Sequence, residues 1–175
     1  MVMILSTVVL VSVYAYVISS RLASGPRASI ISPPLEFSIE LNKPEYTLGE
    51  KMDMTFVMRN IGNKTITLSW PDYAIGGDGK AMFFDFYITD INDTIIYHWS
   101  LEAIMLPSVI EKTLTPGQQL TCICPWLQKT AYPEEAQAPM GAYDVRGLTR
   151  HFGMTIDGES TGISLETPMV TFEIK

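Results

Sequence analysis

The sequence predicts an all-β immunoglobulin-like sandwich of seven to eight strands preceded by a single hydrophobic α-helix. Three observations carry this expectation. Side chains alternate apolar and polar through much of the chain after residue 34, turn chemistry recurs between the alternating stretches, and no charged side chain occurs before Arg21. The predicted organisation is a helix over residues 1–24, a linker over 25–34 and one β domain over 35–175.

The first element is apolar around its whole circumference from Met1 to Ile18. At ~1.5 Å per residue, about twenty residues span a bilayer core, and a helix apolar on every side belongs in lipid or inside an assembly. Secretory signals and ordinary anchors carry Lys or Arg ahead of the apolar run, whereas here Arg21 and Arg27 follow it. The expectation drawn from this asymmetry is a basic leader clipped directly before Met1. In these features the segment resembles type IV pilins, the archaeal members in particular, since it lacks the early acidic residue of bacterial ones. The resemblance implies that Ile4, Leu5, Val8, Val11, Tyr14 and Ile18 form a helix-bundling interface with other copies of the chain.

Ser24-Gly25-Pro26-Arg27 breaks the helical pattern and Ser32-Pro33-Pro34 stiffens the approach to the β domain. Leu35, Phe37, Ile39 and Leu41 then alternate with Glu36, Ser38 and Glu40, and Met52, Met54, Phe56 and Met58 with Asp53, Thr55 and Arg59. Both patterns are those of half-buried strands. Further strands are expected at 65–70, 82–89, 94–99, 118–126, 142–149 and 169–174. Ile61-Gly62-Asn63, Asp90-Ile91-Asn92-Asp93 and Pro116-Gly117 supply turns between them, the first closing a hairpin. Residues 101–110 are expected to hold no more than one irregular turn.

Within this domain Asn42-Lys43-Pro44-Glu45-Tyr46-Thr47-Leu48-Gly49-Glu50, Arg59-Asn60-Ile61-Gly62-Asn63, Phe84-Asp85-Phe86-Tyr87, Leu114-Thr115-Pro116-Gly117 and Gly141-Ala142-Tyr143-Asp144-Val145 form a recognisable series. It resembles the BsuPI family of intracellular proteinase inhibitors and their relatives. The motifs are fold-forming: turns that need the φ of glycine or proline, and Trp99 and Tyr143 as large inward anchors. The resemblance therefore implies the sandwich more directly than it implies an activity.

Composition excludes several classes of function. A net charge of −7 with no basic stripe argues against nucleic acid. There is no G-x-S-x-G, and His98 and His151 are the only histidines, so a hydrolase triad is not expected. His98, inside a strand, is expected to face solvent or a sheet neighbour. Cys122 and Cys124 lie one residue apart on one strand face, poorly placed to bond each other, and read as small core residues. Asp72, Asp78, Asp90, Asn92 and Asp93 read as turn formers in preference to a calcium site. No catalytic, cofactor-binding or metal residues and no cofactor are expected. Asn63-Lys64-Thr65 and Asn92-Asp93-Thr94 are N-glycosylation sequons at turns.

The function expected from the helix is that of a structural subunit of an extracellular type IV pilus-like filament. Its partners are copies of itself in a helical homopolymer, the membrane during biogenesis, and a surface or cell receptor met by the exposed sandwich. Its location is the cell surface, with insertion in the membrane before assembly. The alternative is a single-pass, membrane-anchored BsuPI-like binding module, either a protease inhibitor or an adhesion domain.

Overall fold

The computed structural model describes residues 25–74, 83–101, 104–131, 135–149 and 152–175, with backbone alone at 73–74. In chain order the strands are β1 (Arg27–Ser32), β2 (Leu35–Leu41), β3 (Glu45–Tyr46), β4 (Met52–Asn60), β5 (Ile66–Ala74), β6 (Asp85–Asp90) and β7 (Ile95–His98). They continue with β8 (Ile104–Leu114), β9 (Gln119–Trp126), β10 (Gly141–Leu148), β11 (Phe152–Ile156), β12 (Glu159–Ile163) and β13 (Val170–Ile174). Sheet 1 has the order β1-β2-β4-β9, sheet 2 the order β3-β13-β10-β6-β7, and sheet 3 the order β12-β11-β5-β8.

The expected architecture, one helix followed by seven to eight strands, is corrected. Among the described residues there is no α-helix, only a 3-10 turn at Trp99–Leu101, and there are thirteen strands in three sheets. The helix expected over residues 1–24, with its interface residues Ile4, Leu5, Val8, Val11, Tyr14 and Ile18, falls outside the described residues. The additional strands lack clean alternation because they lie at edges or in sheet 3, where one strand face does not have to be wholly covered. Residues 27–32, expected as linker, run antiparallel to β2 from Arg27↔Glu40 to Ser32↔Leu35.

Sheets 1 and 2 pack face to face, and period-two alternation produces the packing. In β4, Met52, Met54, Phe56 and Met58 are wholly buried, while Asp53, Thr55, Val57 and Arg59 between them are not. The Phe56 ring stacks on Phe84 of the facing layer with centroids 3.6 Å apart, and on its other flank meets Phe37 at 6.4 Å. Gly147 of β10 makes this approach possible. A Cβ there would come within 3.0 Å of Phe56 Cε1 and 3.2 Å of Phe37 Cε1. Burying each such ring contributes about 1.5–3 kcal/mol. At the other end Trp126, Tyr143 and Phe172 form a second aromatic group, and the Tyr143 hydroxyl donates to Pro139 O four residues upstream at 2.7 Å. That contact resembles the tyrosine corner of immunoglobulin-like sandwiches.

Sheet 3 grows out of sheet 1. β4 pairs antiparallel with β9, and after a bend their chain continuations β5 and β8 pair with each other, Arg59↔Gln119 giving way to Ile66↔Leu114. The 60–63 loop, expected to close a hairpin, instead carries the chain between sheets, as does Thr115-Pro116-Gly117. Asn60 closes the bend. It is wholly buried, its main chain exchanges hydrogen bonds with Gln118 O and Gly117 N at 2.9 Å, and its Nδ2 donates to Lys64 O at 2.8 Å and Leu114 O at 2.9 Å. Oδ1 accepts from Gly62 N at 3.0 Å. One side chain thus ties both crossings together, and Gly117 supplies the left-handed turn at φ 81°.

Candidate functional site

The outer half of the β5–β8 ribbon is a region where several exposed apolar side chains lie close together on one strand. β11 flanks β5 only from Thr67 to Ser69. Beyond that, among the described residues, β5 is paired with β8 alone: Trp70↔Ile110, Pro71↔Val109, Tyr73↔Met105 and Ala74↔Ile104. A two-stranded ribbon has too little surface to bury its own side chains. Ile104, Met105 and Val109 are 68%, 63% and 66% exposed, and Leu101 just before the strand is exposed as well.

The register breaks in the middle of this ribbon. Between Met105↔Tyr73 and Val109↔Pro71, the three residues Leu106, Pro107 and Ser108 of β8 stand opposite the single residue Asp72 of β5. The extra length bows β8 into a bulge. Its foot is pinned by Ser108 Oγ, which donates to Asp72 Oδ2 at 3.0 Å. Pro107 at the bulge contributes no N–H, and the whole stretch from Ile104 to Ile110 is uncharged.

Three other clusters contain polar side chains close enough for chemistry. Asp85 is buried at the start of β6. Its Oδ1 accepts from the N–H groups of Phe86 (2.8 Å) and Ser100 (3.1 Å), and its Oδ2 lies 3.0 Å from His98 Nε2. Ser100 Oγ meets the same Nε2 at 3.3 Å. A hydrolytic relay needs the acid and the nucleophile on opposite ring nitrogens, so this arrangement does not make a triad. His98 is buried, not solvent-facing; it lies against its sheet neighbour Tyr87, ring centroids 6.0 Å apart.

The second cluster is outside β6 and β10, where the Tyr87 hydroxyl and Arg146 Nη1 both donate to Glu166 Oε1, at 2.8 and 3.0 Å. Burial, then the Glu166 carboxylate, pushes the Tyr87 phenol up, and the Glu166 hydrogen bond raises Arg146. The three groups satisfy one another. The third is a shallow open depression beside the β11–β12 hairpin, lined by Lys64, Met154, Asp157, Glu159, Ser160 and Thr161. There the Lys64 ammonium is paired with Asp157.

The remaining sequence candidates are placed as follows. Asn63 and Asn92 are both exposed in turns. The Asp90 carboxylate holds its turn, accepting from the N–H groups of Thr94 (2.9 Å) and Asn92 (2.8 Å), which hold its pKa below the usual range. Among the described residues no group of three His, Cys, Asp or Glu side chains is placed to hold a metal. Cys124 is buried and Cys122 half-buried on the core face of β9. Asp78 and His151 lie outside the described residues. The bulge at Pro107 was not among the expected sites. Its signal is an uncharged run rich in Ile, Val and Met interrupted by one proline, the composition of an edge strand.

A family model described as "BsuPI: Intracellular proteinase inhibitor" matches residues 39–151. No curated protein matches the chain. Among solved structures it is similar to β-glucosidase from Listeria innocua at 11% identity and a TM-score of 0.38, over 80% of this chain and 16% of that one. It is also similar to Pseudomonas fluorescens alkylpurine DNA glycosylase AlkC, at 12% identity and TM-score 0.34 over 77% of this chain and 28% of that one. A third is the CARDB domain of the PF1109 protein from Pyrococcus furiosus in complex with di-metal ions, at 13% and 0.39 over 78% and 84%. The chain thus spans about a sixth of the β-glucosidase it matches, and no functional argument rests on likenesses this distant.

The family description overturns the expected cell-surface location with insertion in the membrane, because it is of an intracellular inhibitor. Among the described residues no helix is long and apolar enough to cross a membrane. The filament reading rested on residues 1–24, which the family match does not include and which it gives no support. The family described is one of inhibitors and not of enzymes.

Proposed function

The chain belongs to the BsuPI family of intracellular proteinase inhibitors, and from that premise we propose that it is a protein-binding domain whose partner is a proteinase and whose effect is inhibition. One observation supports the reading beyond family membership. Large apolar side chains are exposed at several places on the sandwich, among them Ile31, Ile91 and Ile123, but on the outer β5–β8 ribbon Ile104, Met105 and Val109 are exposed together on one strand that, among the described residues, is a sheet edge. Apolar side chains grouped at an exposed edge mark a place where a protein partner sits. The polar side chains around Asp85, Glu166 and Asp157 are engaged with one another and do not compete for this role.

The test is direct. The full chain is titrated into subtilisin, chymotrypsin, papain and thermolysin while each cleaves a chromogenic peptide. Saturable loss of activity in at least one of the four is expected, with a stoichiometry near one chain per enzyme. Unchanged rates for all four at a large molar excess of the chain would contradict the reading.

A further inference from the structure

We propose that the β8 bulge, Met105 to Val109, is the inhibitory segment, entering the substrate cleft of the proteinase as an extended, substrate-like strand. This rests on the inhibitor reading above and adds the element, the mode and the side-chain preference.

Three features of the segment lead there. Among the described residues it lies on an edge strand, one side of its backbone held by β5 and the other open to a partner. Proteinase clefts bind substrates extended, pairing with the backbone and taking alternate side chains into pockets, and β-addition to an edge is the corresponding mode. The bulge takes Leu106, Pro107 and Ser108 out of register with β5 and leaves Pro107 and Ser108 exposed with Leu106 half-buried, while the Ser108–Asp72 hydrogen bond and the flanking pairs at Met105 and Val109 hold the segment in one conformation. Such preorganisation lowers the entropic cost of binding.

The bulge and the proline also choose between occupants. Pairing with the β8 of a second copy needs a long regular edge, and a bulge with proline is the device that discourages it. A short bulged segment suits a concave cleft instead. The side chains then set the chemistry: the run from Ile104 to Ile110 carries no charge in a chain of net charge −7, so the partner's pockets are apolar, not acidic or basic. Pro107 lacks the N–H a cleft pairs with and fixes its own φ, which makes the Leu106–Pro107 and Pro107–Ser108 bonds poor substrates. The segment therefore occupies the cleft without being turned over.

The experiment uses the full chain and whichever of the four enzymes it inhibits. Inhibition is expected to be competitive with the peptide substrate. The double variant Met105→Lys/Val109→Lys is expected to raise the inhibition constant at least about thirtyfold, as removal of a central anchor does. Ile123→Lys, at an exposed position on the β9 edge, is expected to leave it unchanged. Pro107→Ala is expected to convert the chain into a slowly consumed inhibitor, with mass spectrometry locating a new cut between residues 105 and 109. Non-competitive kinetics, or full inhibition by a double variant with an unaltered urea midpoint, would overturn the proposal while leaving the inhibitor reading intact. A wild-type dimer that Val109→Lys dissociates without loss of inhibition would overturn it too. Absence of inhibition by the wild-type chain would overturn both.

Discussion

β4 and β8 draw on the same residue types and dispose of them in opposite ways. Met52, Met54, Phe56 and Met58 of β4 are wholly buried; Ile104, Met105 and Val109 of β8 are mostly in water. The difference lies in neighbours. β4 has β2 on one side, β9 on the other and sheet 2 across its face, whereas the outer part of β8 is paired with β5 alone among the described residues. Asn60 stands at the joint between the two environments. The core itself crosses the joint, since Ile66, Leu68, Trp70 and Phe152 of sheet 3 are buried with it, and only the outer β8 segment stands in water, so substitutions there are separable from those in the core.

The sharpest break of this comparison is Phe56→Ala, which empties the space between Phe37, Phe84 and Phe86. It is expected to cost about 3–5 kcal/mol in urea denaturation. Next is Asn60→Ala. It removes the partner of Lys64 O, Leu114 O and Gly62 N in a buried bend, for an expected loss of about 2 kcal/mol. Because those groups tie β5 and β8 to sheet 1, limited proteolysis is expected to reach sheet 3 first in this variant.

A third test uses pH. Burial pushes the Tyr46 phenol from 10.0 to about 12, and its hydroxyl donates to Asn42 Oδ1 at 2.6 Å. The folded chain keeps a proton that the unfolded chain releases, so this contribution is complete below pH 10 and is lost as pH rises from about 10 towards 12. The urea midpoint is expected to fall across that window, and the fall is expected to be shallower in Tyr46→Phe. The smallest effect belongs to Lys64→Ala, which removes the exposed ion pair with Asp157 and is expected to change stability by no more than about 0.5 kcal/mol.

The closed region was legible in the sequence because burial on one face writes period two into the chain. Leu35–Leu41 and Met52–Met58 are read directly, and the turn glycines Gly49 and Gly117 have the positive φ their motifs demand. The open region was not. β8 lacks alternation because its outer half is only partly covered, with Leu106 and Ile110 half-buried and the apolar residues Ile104, Met105 and Val109 exposed, so Ile104–Ile110 reads as an irregular stretch. The β11–β12 hairpin had left a readable mark: Asp157 and Gly158, at φ 53° and 84°, form the two-residue Asp-Gly turn that joins paired strands. The crossing at Asn60 reads as a hairpin because the same short polar turn serves both purposes. The distinction depends on which strands lie alongside, and that is a tertiary fact.

The measurement that bears most directly on the division is amide hydrogen exchange of the full chain, alone and bound to an inhibited proteinase. Amides of β2 and β4 are expected to exchange only through global unfolding, and those from Ile104 to Val109 through local opening at far lower cost, with strong slowing of the latter in the complex. Amides of β8 as protected as those of β4 in the free chain, or unchanged when the proteinase is bound, would contradict it.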